Sequence, residues 1–244
     1  MNVSYYENIE KVIWKITRNF VRDFEEIEYL RSNITSIKNF VERSKIRTNQ
    51  ILEEEISKIP AMRFAKNYKS IEEGSNGIYI LSSDLHGDLN FLKSIDIFGM
   101  YFLCYKKIES TITLESCIIL FPIRKKIYLA QQGKGAWVQR IADNHEILSK
   151  RLRVSSTKDP QDSVSNFPAS REFRKFANFR EFGCMLYDVV QVASGKMDIA
   201  LIEKQDSHFK EMVKIFIEES GGTFKENEIS LLITNSSLAK DLAV

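Results

Sequence analysis

Two carboxylates, an imidazole and a flexible glycine crowd into five residues, Asp84-Leu85-His86-Gly87-Asp88. Side chains of these types, set so close together, suit a divalent cation, and a cation can activate water or neutralise a phosphate. A plainer reading stays open: Asp and Asn in a polar turn bond nearby backbone groups. The stretch Ser83 to Phe91 follows an apolar run, Ile78-Tyr79-Ile80-Leu81, that reads as a buried strand. A strand, a Gly-bearing polar turn and a new apolar segment make the setting in which α/β proteins place their chemistry.

The elements around this turn must come from a chain of 244 residues, enough to bury a core as one large domain or two intimate halves. Its 35 basic and 33 acidic residues leave a net charge of +2, too weak a field to demand a nucleic-acid partner. Cys104, Cys117 and Cys184 each sit among apolar residues without paired metal spacing, which predicts small buried thiols in a reducing cytosol. No signal-peptide pattern opens the chain. The longest apolar run, Ile97 to Tyr105, falls far short of the roughly 20 residues that span a bilayer. A soluble cytoplasmic protein with no membrane partner is expected.

Taken in order, residues 7–31 set Ile9, Val12, Ile13, Ile16, Phe20, Phe24 and Ile27 on one helical face. A second helix is predicted over about 48–58, stopped by Pro60. A polar connection, Lys66 to Gly77, carries Glu72-Glu73-Gly74. Beyond the turn, Met100 to Lys107, Ser110 to Glu115, Ile118 to Phe121 and Ile127 to Gln131 read as strands. Gly133-Lys134-Gly135-Ala136 lacks the spacing and closing Lys-Ser/Thr of a phosphate-binding loop and reads as a loop leaving a strand. Arg124-Lys125-Lys126 reads as a solvated turn. A division into an N-terminal α+β half, 1–150, and a C-terminal α/β half, 151–244, is expected at the polar stretch 150–168. In the second half Gly183 to Ala193 reads as a helix closed by Gly195, and Met197 to Ile202 as a strand. Phe209, Met212, Val213 and Phe216 form an apolar helical stripe ended by Gly221-Gly222, with Asp206 or Ser207 as N-cap.

Together these pieces resemble the inositol monophosphatase family, including SuhB-like extragenic suppressor proteins. Gly87 with Asn90-Phe91 resembles the end of the family's Asp-Pro-Leu-Asp-Gly-Thr-Thr-Asn-Phe signature. Phe121-Pro122, Leu129-Ala130 and Gly133-Lys134-Gly135-Ala136 resemble its hairpin and Gly-x-Gly-Ala. Leu152-Arg153-Val154-Ser155-Ser156 resembles its crossing into the second half. Gly183, Asp188, Val192-Ala193, Gly195, Asp198 and Gly221-Gly222 resemble its C-terminal block. The resemblance implies a layered αβαβα sandwich, a homodimer, and magnesium-dependent hydrolysis of small inositol or sugar phosphate monoesters.

That chemistry needs oxygen ligands, chiefly Asp and Glu, because magnesium is a hard octahedral cation. In the family the signature supplies two Asp, an upstream Glu-Glu loop a Glu, and a later Trp-Asp opens the last helix. Aligned on Gly87 and Asn90-Phe91, the signature Asp positions fall at Ser83 and His86, and the first Thr becomes Asp88. Counting back from Gly221-Gly222, the Trp-Asp becomes His208-Phe209. Thr48-Asn49 resembles an earlier Thr-containing loop, with Ile51 at its Asp position. The resemblance leaves Glu72, Asp84, His86 and Asp88 as candidate catalytic residues, and Gly87, Asn90 and Cys184 as candidate substrate contacts. Glu72, Glu73, Asp84 and His86 form a degenerate metal set, in which His86 admits manganese or zinc. The expectation is a family member with weak or lost catalysis.

Two other classes compete. Asp84-Leu85-His86-Gly87-Asp88 also resembles the Asp-x-His-Gly opening of calcineurin-like metallophosphoesterases, but His145 and His208 lie in none of that family's later blocks. A non-catalytic SuhB-like regulator that binds a transcription-complex protein is the other. Lys150, Arg151 and Arg153 could touch nucleic acid, but without interleaved aromatics they read as a solvated strand edge.

Overall fold

A computed structural model describes residues 3–29, 34–141, 147–167 and 178–240. The chain divides into two compact units, Met1–Ile127 and Tyr128–Val244.

The first unit opens with helices α1 (Val3–Tyr29) and α2 (Ile34–Ser57), which pack on each other. The predicted stripe of α1 faces inward: Ile9, Val12, Ile13, Ile16, Phe20 and Ile27 are buried and Phe24 is half-buried. Helix α2 begins well before the expected Thr48. Its first half is anchored by polar groups: Asp23 of α1, fully buried, accepts hydrogen bonds from Ser44 Oγ at 2.6 Å and Arg47 Nη1 at 3.0 Å. A periodicity of apolar residues does not register such a contact. Strand β1 (Met62–Ala65) leads into the short helix α3 (Tyr68–Glu72) inside the stretch read as a polar connection. Strand β2 (Gly77–Ser82) is the expected buried strand and runs into the turn and helix α4 (Asp88–Leu92). Strands β3 (Met100–Ile108) and β4 (Thr111–Phe121) continue the same sheet, which has seven strands in chain order. The break expected between Ser110–Glu115 and Ile118–Phe121 is absent, because Ser116 and Cys117 are buried within one continuous strand. β2 lies between β1, to which it is parallel, and β3, to which it is antiparallel.

Strand β5 (Lys126–Gln131) enters the second unit, where β6 (Gly135–Ile141) and β7 (Ile147–Arg151) form a hairpin. His145 lies outside the described residues. The rest of this unit is β8 (Val164–Ser165), β9 (Asn178–Phe179), α5 (Met185–Ala193), β10 (Ile199–Glu203), α6 (Ser207–Glu219), β11 (Thr223–Glu226) and β12 (Ser230–Thr234). Its five-stranded sheet has the order β11-β12-β10-β8-β9, with β12 antiparallel to both neighbours and β8 parallel to both of its own. Helices α5 and α6 pack against it. The stripe Phe209, Met212, Val213 and Phe216 is fully buried, as its spacing predicts. Gly222 ends the helix tightly: a Cβ there would meet Thr234 O at 2.9 Å and Val154 Cγ1 at 2.9 Å. Mixed sheets with helices make this an α/β fold of the sandwich class.

Candidate functional site

The turn after β2 is built as an extension of the sheet. Ser83 N–H donates to Tyr101 O at 2.9 Å, and Tyr101 N–H donates to Ser83 Oγ at 2.9 Å. The Ser83 hydroxyl thus replaces a backbone carbonyl in the β2–β3 ladder, while its own proton goes to Asp84 O at 2.7 Å. Three residues on, His86 and Gly99 exchange backbone hydrogen bonds of 2.8 and 3.0 Å, and the imidazole lies 5.5 Å from the Tyr101 ring. Gly99 has no room for a side chain here, since a Cβ would lie 2.4 Å from Leu120 O. Gly87 then adopts φ +77°, the left-handed conformation that glycine takes without strain, and opens α4.

From that point the turn is pinned from below. Phe91 is fully buried and packs at 4.5 Å from Phe98 and 5.9 Å from Phe20, linking α4 to α1. Asn90 donates through Nδ2 to Ile97 O at 2.7 Å and accepts Ile95 N–H at its backbone oxygen. Asn90 is therefore a strut of the turn, which is the plainer reading of its type. Asp84 and Asp88 are exposed, and Asp88 accepts its neighbour's N–H, from Leu89, at 2.8 Å. The structure thus brings Ser83, Asp84, His86, Gly87, Asp88 and Asn90 together at one end of β2.

It does not bring Glu72 and Glu73 there. The ammonium of Lys107 donates to the backbone oxygens of Ile71, at 2.8 Å, and Glu72. Lys107 stands opposite Gly77, at the start of β2, whereas the turn follows Ser82 at its end. Five residue rises separate the two, about 16 Å at the usual ~3.3 Å per residue. Both glutamate side chains are exposed, and Glu73 pairs with Lys69 at 3.5 Å. The residues that do leave the sheet at the turn's end are Lys66 and Asn67, because Ala65 of β1 is opposite Leu81. A reading by residue type passes over them; the parallel register of β1 and β2 is what identifies them. Thr48, the expected start of the second helix and one of two residues that resemble a family loop, lies within α2 and donates its hydroxyl to Ser44 O at 2.9 Å. Among the described residues no three His, Cys, Asp or Glu side chains gather as a metal-binding cluster.

In the second unit, Asp206 caps α6 by accepting Phe209 N–H at 2.8 Å, and the Phe209 ring is fully buried. Cys184 stands at the N-cap of α5, where burial pushes its thiol up to about 12. Asp188, one turn on, is 7% exposed and accepts Asn166 Nδ2 at 3.0 Å; burial raises its carboxyl to about 6. The Gly133-Lys134-Gly135 segment is a tight hairpin turn between β5 and β6. Its two glycine N–H groups donate to the two carboxylate oxygens of Glu219, each at 2.6 Å. A pair of amides that could cradle a phosphate is filled by the chain's own carboxylate.

No family model matches the chain. It is 24% identical over 247 residues to an inositol-1-monophosphatase of Caulobacter vibrioides, covering 93% of this chain and 92% of that protein. It is 22% identical over 214 residues to the Nus factor SuhB of Buchnera aphidicola, covering 83% and 79%. Among solved structures, the extragenic suppressor protein SuhB from Bartonella henselae superposes with a TM-score of 0.72 at 20% identity, over 98% of this chain and 97% of that one. Inositol monophosphatase II from Staphylococcus aureus gives 0.72 at 14% identity, over 98% and 92%. Similarity along nearly the whole sequence and a shared fold converge on one conclusion: the chain is similar to inositol monophosphatase and SuhB proteins and has their fold.

Proposed function

We propose that this chain keeps the phosphatase scaffold, while magnesium-dependent hydrolysis of small inositol or sugar phosphate monoesters is weak or lost. The carrying observation is the state of the ligand positions. Phe209, counted onto the position of a family aspartate, is fully buried within the α6 stripe and has no lone pair to offer. Ser83 has its hydroxyl engaged in the β2–β3 ladder, and Glu72 and Glu73 stand at the other end of β2. Magnesium requires several oxygen donors in a strict octahedron, and the residues present do not fit it. Manganese or zinc through His86 would need further donors beside it, and among the described residues no three His, Cys, Asp or Glu side chains gather as a metal-binding cluster. No catalytic step is therefore derived through a cation.

Disturbing residues that merely orient a metal's ligands lowers activity about 10- to 100-fold, so loss of ligands should lower it further. With inositol 1-phosphate and magnesium, turnover is expected to be at least ~100-fold below that of the Caulobacter relative assayed beside it. Rapid magnesium-dependent release of phosphate would reject the reading. A metallophosphoesterase would instead work with manganese and lose its activity in His86→Ala.

The second reading is a regulatory one, supported by the relative named Nus factor SuhB. In that reading the chain acts in the cytoplasm, as a homodimer, by binding a protein of the transcription machinery, and needs no ligands at Ser83 or Phe209. Pull-down with polymerase components at physiological salt is the test, and an empty pull-down counts against it.

A further inference from the structure

Asp84 and Asp88 are both exposed at the turn, and nearby acids could in principle help them hold a cation. The register of the sheet decides which residues are near. β1 and β2 run parallel with Ala65 opposite Leu81, so the chain segment beside the turn is Lys66-Asn67. The amide oxygen of Asn67 accepts the backbone N–H and the hydroxyl of Ser70, each at 2.9 Å, and so caps α3. It is not free to ligate. Lys66 brings an ammonium to this end of the sheet and pairs with Glu53 of α2 at 3.3 Å. The acids that could have replaced it are held away. Lys107, 7% exposed, fixes the backbone at Ile71 and Glu72 beside the start of β2. Tyr79 Oη adds a bond to Ser75 O at 2.6 Å, and Arg63 Nη1 one to Asn76 O at 3.0 Å.

We infer that Lys66, delivered by the parallel exit of β1, determines the charge of the turn and excludes a hard divalent cation from Asp84 and Asp88. Lys107 is the positioning residue that keeps the Glu72–Glu73 segment from supplying a ligand. This rests on the reading that the magnesium site is lost, and it names which residues stand against its return.

Binding of Mn²⁺ alone, followed by the loss of the free-ion electron paramagnetic resonance signal, tests it in the full chain. Lys66→Glu, at an exposed position that does not threaten folding, is expected to bind Mn²⁺ about 10-fold or more tightly than wild type. The same gain is expected when Lys66→Glu is added to Ser83→Asp/His86→Asp, and Glu72→Gln/Glu73→Gln is expected to change nothing in either background. Equal affinities with and without Lys66→Glu would overturn the assignment of Lys66, whatever the activity. Loss of Mn²⁺ binding in Glu72→Gln/Glu73→Gln would overturn the role given to Lys107. Rapid magnesium-dependent turnover by wild type would strike instead at the underlying reading of a lost site.

Discussion

Two glycine-bearing turns, one in each unit, resemble the same family and have fared differently. The turn at Gly133–Gly135 works through its backbone. It reverses the chain and presents two N–H groups, and Glu219 meets both at 2.6 Å. Gly135, at φ +109°, takes a left-handed conformation that side chains strain to adopt. The turn at Ser83–Asp88 likewise takes its backbone shape from a glycine, Gly87, and from the His86–Gly99 bridge. What differs is what its side chains present. Where donors to a cation are expected, it offers a hydroxyl engaged in the sheet and an imidazole set against Tyr101. The difference teaches that resemblance persists in this chain where a residue shapes the backbone, and fails where a residue must present oxygen to a ligand.

The sharpest way to break this contrast is to place a carboxylate where the family resemblance expects one. Phe209→Asp would put a carboxylate in a fully buried apolar stripe, losing ring packing and burying charge without a partner. It should destabilise by about 4 kcal/mol or more, lowering the midpoint of thermal unfolding by roughly 8–16 °C. Calorimetry of the variant decides it. An unchanged melting temperature would mean that the position still opens to solvent, and that donors at α6 have not been sealed off. Next in size is Glu219→Ala, which leaves the N–H groups of Gly133 and Gly135 to water. Hydrogen bonds to charged groups contribute about 1.5–3 kcal/mol each, and partial exposure of the turn reduces the sum, so a loss of about 2 kcal/mol in urea unfolding is expected. A neutral result would remove the scaffold side of the comparison.

The scaffold was more legible in the sequence than the site, and for a physical reason. Apolar periodicity reports directly on burial, so the stripes of α1 and α6 and the strand β2 were readable. The first half of α2 was not. It is held by the buried Asp23 with Ser44 and Arg47, residues that a hydropathy pattern assigns to solvent. The continuity of β4 through Ser116 was lost for the same reason. In the site, Phe209 could be placed inward from its stripe alone. The position of Glu72 and Glu73 could not, because it depends on Lys107, 35 residues beyond Glu72, and on the parallel register of β1 with β2. Neither is a local property of sequence.

Asp188 sharpens the comparison from the side of retained polar groups. Its Oδ1 is buried without a hydrogen-bond partner among the described residues, and its carboxyl is raised from 3.8 to about 6, chiefly by burial. A carboxyl that binds its proton more tightly folded than unfolded favours the fold at low pH. That contribution is complete below about 3.8 and is lost as pH rises through about 6. Asp188→Asn keeps an oxygen for Asn166 Nδ2 and removes the charge. Relative to wild type it should gain about 1–3 kcal/mol between pH 4 and 7, with the difference level above that. Urea unfolding of both proteins across this range is the measurement, and a difference independent of pH would show that Asp188 ionises freely.

The smallest effect is expected at the paired glutamates, whose residue type alone suggested ligands. Glu72→Gln/Glu73→Gln removes two exposed carboxylates, one of which meets Lys69 at 3.5 Å in a surface pair between residues four apart. Such pairs contribute about 0.3–0.5 kcal/mol, and the Lys107 contacts to this segment use backbone oxygens that the substitution leaves in place. Stability should change by no more than about 0.5 kcal/mol in urea unfolding. Lys107→Met removes those contacts and leaves the Glu72 carbonyl without its donor, while Ile71 O keeps the Gly74 N–H at 3.2 Å, so it should cost about 1–3 kcal/mol. If the glutamate pair proved the more damaging of the two, the carboxylates would have a role at this end of β2 that the backbone contacts do not explain, and the line drawn between scaffold and donor residues would have to move.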